Sequence, residues 1–185
     1  MSKKKETKQA EPEVSTRIPP RLLYSSGMSS MMSSLEGQIA TRTQYQSKAG
    51  VRRILGFPVP SWQRDLVWTD EQCERFIQSV YTGVYLGLYV YNDSLITAPH
   101  LDGLLLDGQQ RLYAIERYFK GDLAVEGPDG KKYRFTELTD EEKAHFYRMP
   151  MGFQVVSITS EDKLKEMYNL LNFGGTPHEE SQRAV

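Results

Sequence analysis

The sequence is poor in the residues from which covalent and metal-centred scaffolds are built. It has one cysteine, Cys73, so no internal disulfide can form, and its three histidines, His100, His145 and His178, are scattered without zinc-ligand spacing. Metal-free or magnesium-dependent chemistry is what remains. Charge of one sign is also lacking: 23 Lys and Arg stand against 24 Asp and Glu, for a net charge of -1. Such a balance supplies no global field to hold DNA, so any nucleic-acid contact must be local. No apolar stretch approaches the ~18 residues of a membrane span. The N-terminus, "MSKKKETKQAEPEVSTR", has charge but no apolar segment behind it, unlike a secretory signal. A cytoplasmic protein without a membrane partner is expected.

At 185 residues the chain has room for one domain with an appendage. Residues 1–45 hold a lysine run and then "IPPRLLYSSGMSSMMSSLEGQ", rich in serine and poor in β-branched and aromatic residues. Such a segment buries too little surface to offset its ordering entropy, and reads as a flexible arm. Met28, Met31, Met32 and Leu35 could form a short amphipathic helix there, as a packing strip rather than a partner-binding face. The folded domain is expected over 46–185.

Within that domain the prolines at 58 and 60 hold Phe57 and Val59 extended, giving an ordered, non-helical approach. "TDEQCERFIQSVYTG" then carries a helix grammar, with Thr69 as N-cap and Gln72 as its capping-box partner. Cys73, Phe76, Ile77 and Val80 share one face of it, which makes Cys73 a core residue. "VYLGLYVY" and the wholly apolar "LLLDG" predict strands, the latter in a buried position. A helix over Gln109 to Lys120 follows, then a hairpin turning at Pro128-Asp129-Gly130. A second capping box at Thr139 and Glu142, a strand in "MGFQVVSI" and a last helix from Ser160 through Leu171 complete the series. The spacing is too irregular for a doubly wound sheet and predicts an α+β fold. The sequence contains no internal repeat.

Four places can carry chemistry. The first is "DGQQR" at 107–111, where a strand meets a helix. Gly108 permits a tight turn, the N–H groups of the helix start suit a phosphate, and Arg111 supplies a forked donor. Asp107 could hold a magnesium ion or orient an arginine; equally, it could cap the helix and pair with Arg111 with no ligand present. Gly103 and Gly108 have the separation of a Walker A loop, but Gln109 and Gln110 stand where a lysine and a hydroxyl are required. The second place is Trp62-Gln63-Arg64, followed by Trp68. A proline-stiffened loop can present its arginine rigidly, or simply stack it on an indole. In the third, "YNLLNFGGTP" at 168–177, Asn172 and the paired glycines read as helix termination or as an amide for a base or phosphate. The fourth is the tyrosine and tryptophan content near these loops, which could stack bases but mostly reads as core.

"FPVPSWQRDLVWTDEQCERFIQSV", "LLLDGQQRLYAIERYF" and "MYNLLNFGGTPH" occur in the order and spacing of one family. The chain resembles the N-terminal domain of GmrSD-type modification-dependent restriction systems, from about residue 53 onward. This resemblance implies a fold similar to the ParB and sulfiredoxin group, and "GQQRLYA" at 108–114 resembles the nucleotide-binding box of ParB proteins. It further implies a nucleoside triphosphate site formed by Gln63, Arg64, Gly108, Gln109, Gln110, Arg111 and Asn172. Asp107, Arg111 and Arg64 would be catalytic, with magnesium on Asp107. Sulfiredoxin chemistry does not carry over, because no cysteine adjoins Gln109 or Arg111. Restriction proteins of this type carry a nuclease domain after this one, whereas this chain ends at Val185, and His178 replaces a usually apolar residue.

The resulting expectation is a nucleotide-binding, NTP-hydrolysing domain acting in restriction, modification sensing or phage counter-defence, in a bacterial cell or phage-infected host. Its partners would be a nucleoside triphosphate, DNA, and a separate nuclease or defence protein. The alternatives are a non-catalytic DNA- or protein-binding module and a small ParB-like nuclease, the latter short of a second acidic cluster for two-metal cleavage.

Overall fold

The computed structural model describes residues 27–45, 51–84 and 86–173. At its centre β1 (Gly27–Met31), β8 (Pro150–Val156), β4 (Leu88–Asn92) and β5 (Leu105–Asp107) lie side by side in that order. β4 and β8 run parallel, while β1 and β5 pair antiparallel at the two edges. Alternation along the strands sends successive side chains to opposite faces. Tyr89 and Leu105 face one hydrophobic cluster, with Ile77, Leu112 and Ile115; Val90 and Leu106 face another, with Leu164 and Met167. Both faces are therefore covered at β5, which is why Leu105 and Leu106 are both apolar although the strand lies at an edge.

The first face is covered by α3 (Asp70–Tyr81) and α4 (Gln109–Phe119), the second by α6 (Glu161–Phe173). Local grammar fixes the helix starts. Thr69 and Gln72 close a reciprocal capping box on α3, and Thr139 and Glu142 close one on α5 (Asp140–Tyr147). Cys73 is buried within α3 as a free thiol. Two ribbons, β2 (Arg53–Ile54) with β3 (Phe57–Pro58) and β6 (Ala124–Glu126) with β7 (Lys132–Arg134), complete a mixed α+β fold. The hairpin expected around Pro128-Asp129-Gly130 is the second of these ribbons. Among the described residues no helix is long and apolar enough to cross a membrane.

The flexible arm expected over 1–45 requires correction for residues 27–45. β1 pairs with β8 along its length, from Gly27 opposite Gln154 to Met31 opposite Pro150. α1 (Met32–Gly37) then buries Met32 and Leu35 completely, both at 0% exposure. Arg42, in α2 (Ile39–Tyr45), ties this segment down: its guanidinium donates to the carbonyls of Leu35 at 3.0 Å and Leu55 at 3.1 Å and lies over the Phe57 ring. A strand ladder needs only backbone groups, so serine-rich composition does not prevent it, and two fully buried side chains anchor what composition marked as polar. The methionine strip accordingly splits, with Met28 and Met31 exposed and Met32 in the core. Residues 1–26 lie outside the described residues, as do Gly174, Gly175 and His178.

Met32→Ala is expected to lower unfolding stability by about 2–5 kcal/mol, the range for emptying a buried methionine site. Urea denaturation reads it directly; an unchanged midpoint would mean that the segment contributes nothing to the fold.

Candidate functional site

β5 ends at Asp107, and the chain turns into α4 through Gly108, whose φ of 87° lies in the left-handed region. Gly108 itself is the N-cap, and no side chain caps this helix. Asp107 therefore does not take the capping role open to it; its carboxylate pairs with Arg111, Nη2 donating to Oδ2 at 2.8 Å. The same nitrogen donates to the carbonyl of Leu88 at 2.8 Å. Gly87 lies so close that a Cβ there would collide with Arg111 Nη1. A cation in the first turn of a helix is unfavourable by roughly 0.3–1 kcal/mol, and the Asp107 carboxylate offsets it.

The two glutamines face a different way. Each is 5% exposed, and each amide grips the backbone of the loop that joins β3 to α3. Gln109 Nε2 donates to the carbonyl of Arg64 at 2.9 Å, and its Oε1 accepts from Arg52 at 3.0 Å. Gln110 Nε2 donates to the carbonyl of Asp65 at 3.1 Å, and its Oε1 accepts from the N–H groups of Val67 and Trp68, both at 3.2 Å. Both side chains thus splint one loop to the other. Arg52, which sequence reasoning missed, joins the splint by also donating to the carbonyl of Arg64.

The splint fixes Arg64. Its backbone carbonyl is held from two sides and its N–H meets the hydroxyl of Tyr168 at 3.5 Å, whereas its guanidinium has no hydrogen-bond or ion-pair partner among the described residues. The stacking of this arginine on an indole is not seen: Trp62 packs edge-on against Tyr168, and Trp68 packs on Phe76. Gln63, 7% exposed, donates to the carbonyl of Leu105 and leaves its buried Oε1 without a partner. Reversing the amide would set oxygen against the Leu105 carbonyl, so this orientation is imposed.

These groups surround a cleft of about 310 Å³ lined by Gln63, Arg64, Trp68, Asp107 through Arg111, Tyr168 and Asn172, among others. The fold therefore brings every sequence-predicted site residue to one place. Asn172 reaches it from α6, with its Nδ2 donating to the carbonyl of Tyr168 at 2.8 Å inside the helix. The cleft combines an uncapped helix start, one arginine neutralised by a carboxylate and one arginine without a counter-ion among the described residues. Helix starts and forked arginine donors are the groups that suit an anion with several oxygens.

Gln110→Ala removes the partners of three backbone groups at once. Because Val67 is exposed and water can replace part of the loss, a stability decrease of about 1–3 kcal/mol is expected. The sharper readout is faster amide hydrogen exchange at Val67 and Trp68.

No curated protein and no solved structure matches the chain. A family match does exist, over residues 45–151, to the family described as "GmrSD restriction endonuclease, N-terminal domain". It takes in both the Trp62-Gln63-Arg64 loop and the Asp107–Arg111 junction, and stops short of α6 and Asn172. With more than half of its length matched, the chain belongs to the family of the GmrSD restriction endonuclease N-terminal domain, which implies a role in restriction or defence.

Proposed function

We propose that the cleft holds the phosphates of a nucleoside triphosphate, and that the domain binds and hydrolyses this nucleotide within a restriction or defence system. The observation that carries this reading is Arg64, a partly buried residue whose backbone is held beside an uncapped helix start and whose guanidinium has no counter-ion among the described residues. A phosphate in this cleft would supply a counter-ion.

In this reading the N–H groups at the start of α4 hold phosphate oxygens, and Arg64 stabilises the charge that develops on the transferred phosphoryl group. Arg111 contributes from its position on Leu88 and Asp107. Among the described residues no group of three or more His, Cys, Asp or Glu could hold a metal ion. Magnesium fits here only in the manner usual at nucleotide sites, through one carboxylate together with substrate phosphates, and Asp107 is that carboxylate. When bound, the ion would neutralise phosphate charge. The same lack of an acidic cluster among the described residues leaves the small-nuclease alternative without support. DNA and a separate nuclease or defence protein would be the partners through which nucleotide turnover acts.

Calorimetric titration with ATP, GTP, CTP and UTP in the presence of magnesium tests the reading, followed by phosphate release for whichever binds. Binding without turnover would reduce the domain to a nucleotide-gated module. No heat with any of the four, from protein shown to be folded, would remove the proposal.

A further inference from the structure

A second cavity opens at the opposite end of α4. It has a volume of about 520 Å³ and lies between the C-terminal end of α3, α5 and the β6–β7 ribbon. Small-molecule sites have volumes of roughly 300–1,000 Å³. Among the described residues it is lined by Tyr81, Tyr118, Tyr133 and His145 together with Glu126 and Glu142, and by no lysine or arginine; Tyr118 is only 1% exposed.

The geometry is fixed from several directions. The hydroxyls of Tyr81 and Tyr118 share a hydrogen bond of 2.9 Å, and the His145 ring stacks on Tyr81 with 13° between the planes. Glu142 cannot swing away without breaking its capping box, since Oε2 accepts from the Thr139 N–H at 2.8 Å. Burial raises the hydroxyl pKa values of Tyr81 and Tyr118, and a hydrogen bond to Asp129 raises that of Tyr133. The negative field of Glu142 adds to all three shifts, so this carboxylate is felt at each of the three tyrosines.

An anionic ligand would meet the acidic Glu142, and Glu126 with Lys132 opposite it across the ribbon. A neutral apolar one would cover those carboxylates and return nothing to them. A cation with an apolar shell satisfies both surfaces, through the faces of the aromatic rings and through charge attraction. We infer that this cavity binds a small organic cation of the alkylammonium type, held by the rings of Tyr81 and Tyr133 and by Glu142. Neither the family match nor the nucleotide reading assigns a ligand here, and the inference depends on neither.

The test is an NMR titration of the full chain with benzyltrimethylammonium, benzyl alcohol and benzoate, following Tyr133 and His145 resonances. Saturable binding of the cation, at least about tenfold tighter than that of benzyl alcohol and with no response to benzoate, is expected. Glu142→Gln removes the charge while keeping a residue that serves equally well in the capping box, so the fold survives and affinity falls by about tenfold. Tyr133→Leu keeps an apolar side chain on the ribbon, removes a π face and weakens binding similarly, whereas Arg64→Ala leaves it unchanged. Equal affinity for benzyl alcohol, wild-type affinity in both cavity variants, or no saturable shift with the cation would each overturn the assignment.

Discussion

Arg64→Ala is expected to weaken nucleoside triphosphate binding by about 30- to 100-fold, the equivalent of one or two charge-assisted hydrogen bonds to phosphate. Its effect on folding should be small. The Arg64 contacts that hold the loop are made by its backbone, with the carbonyl accepting from Gln109 and Arg52 and the N–H meeting Tyr168; alanine keeps all three. The guanidinium has no partner to lose among the described residues. Arg111→Ala provides the contrast, because that side chain holds the Leu88 carbonyl and the Asp107 carboxylate. Its removal should weaken binding and also lower stability. Calorimetry paired with urea denaturation separates the two arginines, and parent-like affinity in Arg64→Ala would withdraw the role given to the unpaired guanidinium.

Gly108→Ala is expected to cost about 3 kcal/mol or more. A residue other than glycine in the left-handed region costs about 1–2 kcal/mol. Here the new Cβ would also lie 2.7 Å from the Cβ of Tyr89 and 3.0 Å from its Cα, so the clash is with a buried strand rather than with the end of a flexible side chain. Relief requires β4 or the start of α4 to move, and either shift displaces Arg111. Total stability of a domain this size is typically about 5–15 kcal/mol, so the loss would be visible as a clear drop in the denaturation midpoint. A midpoint within error of the parent would show that the junction is more yielding than its packing indicates.

How far such features can be read from sequence depends on the distance over which they are decided. The capping boxes at Thr69 and Thr139 are complete within four residues, and both form as their spacing predicts. The turn at Gly108 and the junction it makes are equally local. Gln109 and Gln110 are different: their amides are committed to carbonyls and N–H groups more than 40 residues away, and nothing in "DGQQR" points at the loop they hold. The splint they make is therefore invisible in the string itself. Arg52 and Arg42 carry no sequence signal of their roles, since the carbonyls they reach become neighbours only once the fold exists. β1 escapes because its pairing with β8 is made by the backbone, and a hydropathy pattern records only side chains. That these residues line one cleft is legible, since the loops bearing them converge, but the bonds among them are not.

The order of the central sheet has a consequence for how the family segment behaves when cut out. Residues 45–151 contain β4 and β5, yet β1 precedes them and all of β8 except Pro150 and Met151 follows. A fragment trimmed to the matched region would keep both arginines of the cleft and leave β4 with a bare row of N–H and C=O groups on the side that β8 normally occupies. It would also strip Val90 and Leu106 of the α6 side chains that cover them. What sequence comparison delimits is therefore half a sheet with an adhesive edge, and a polypeptide meant to fold alone must span both flanks, from Gly27 to the end of α6.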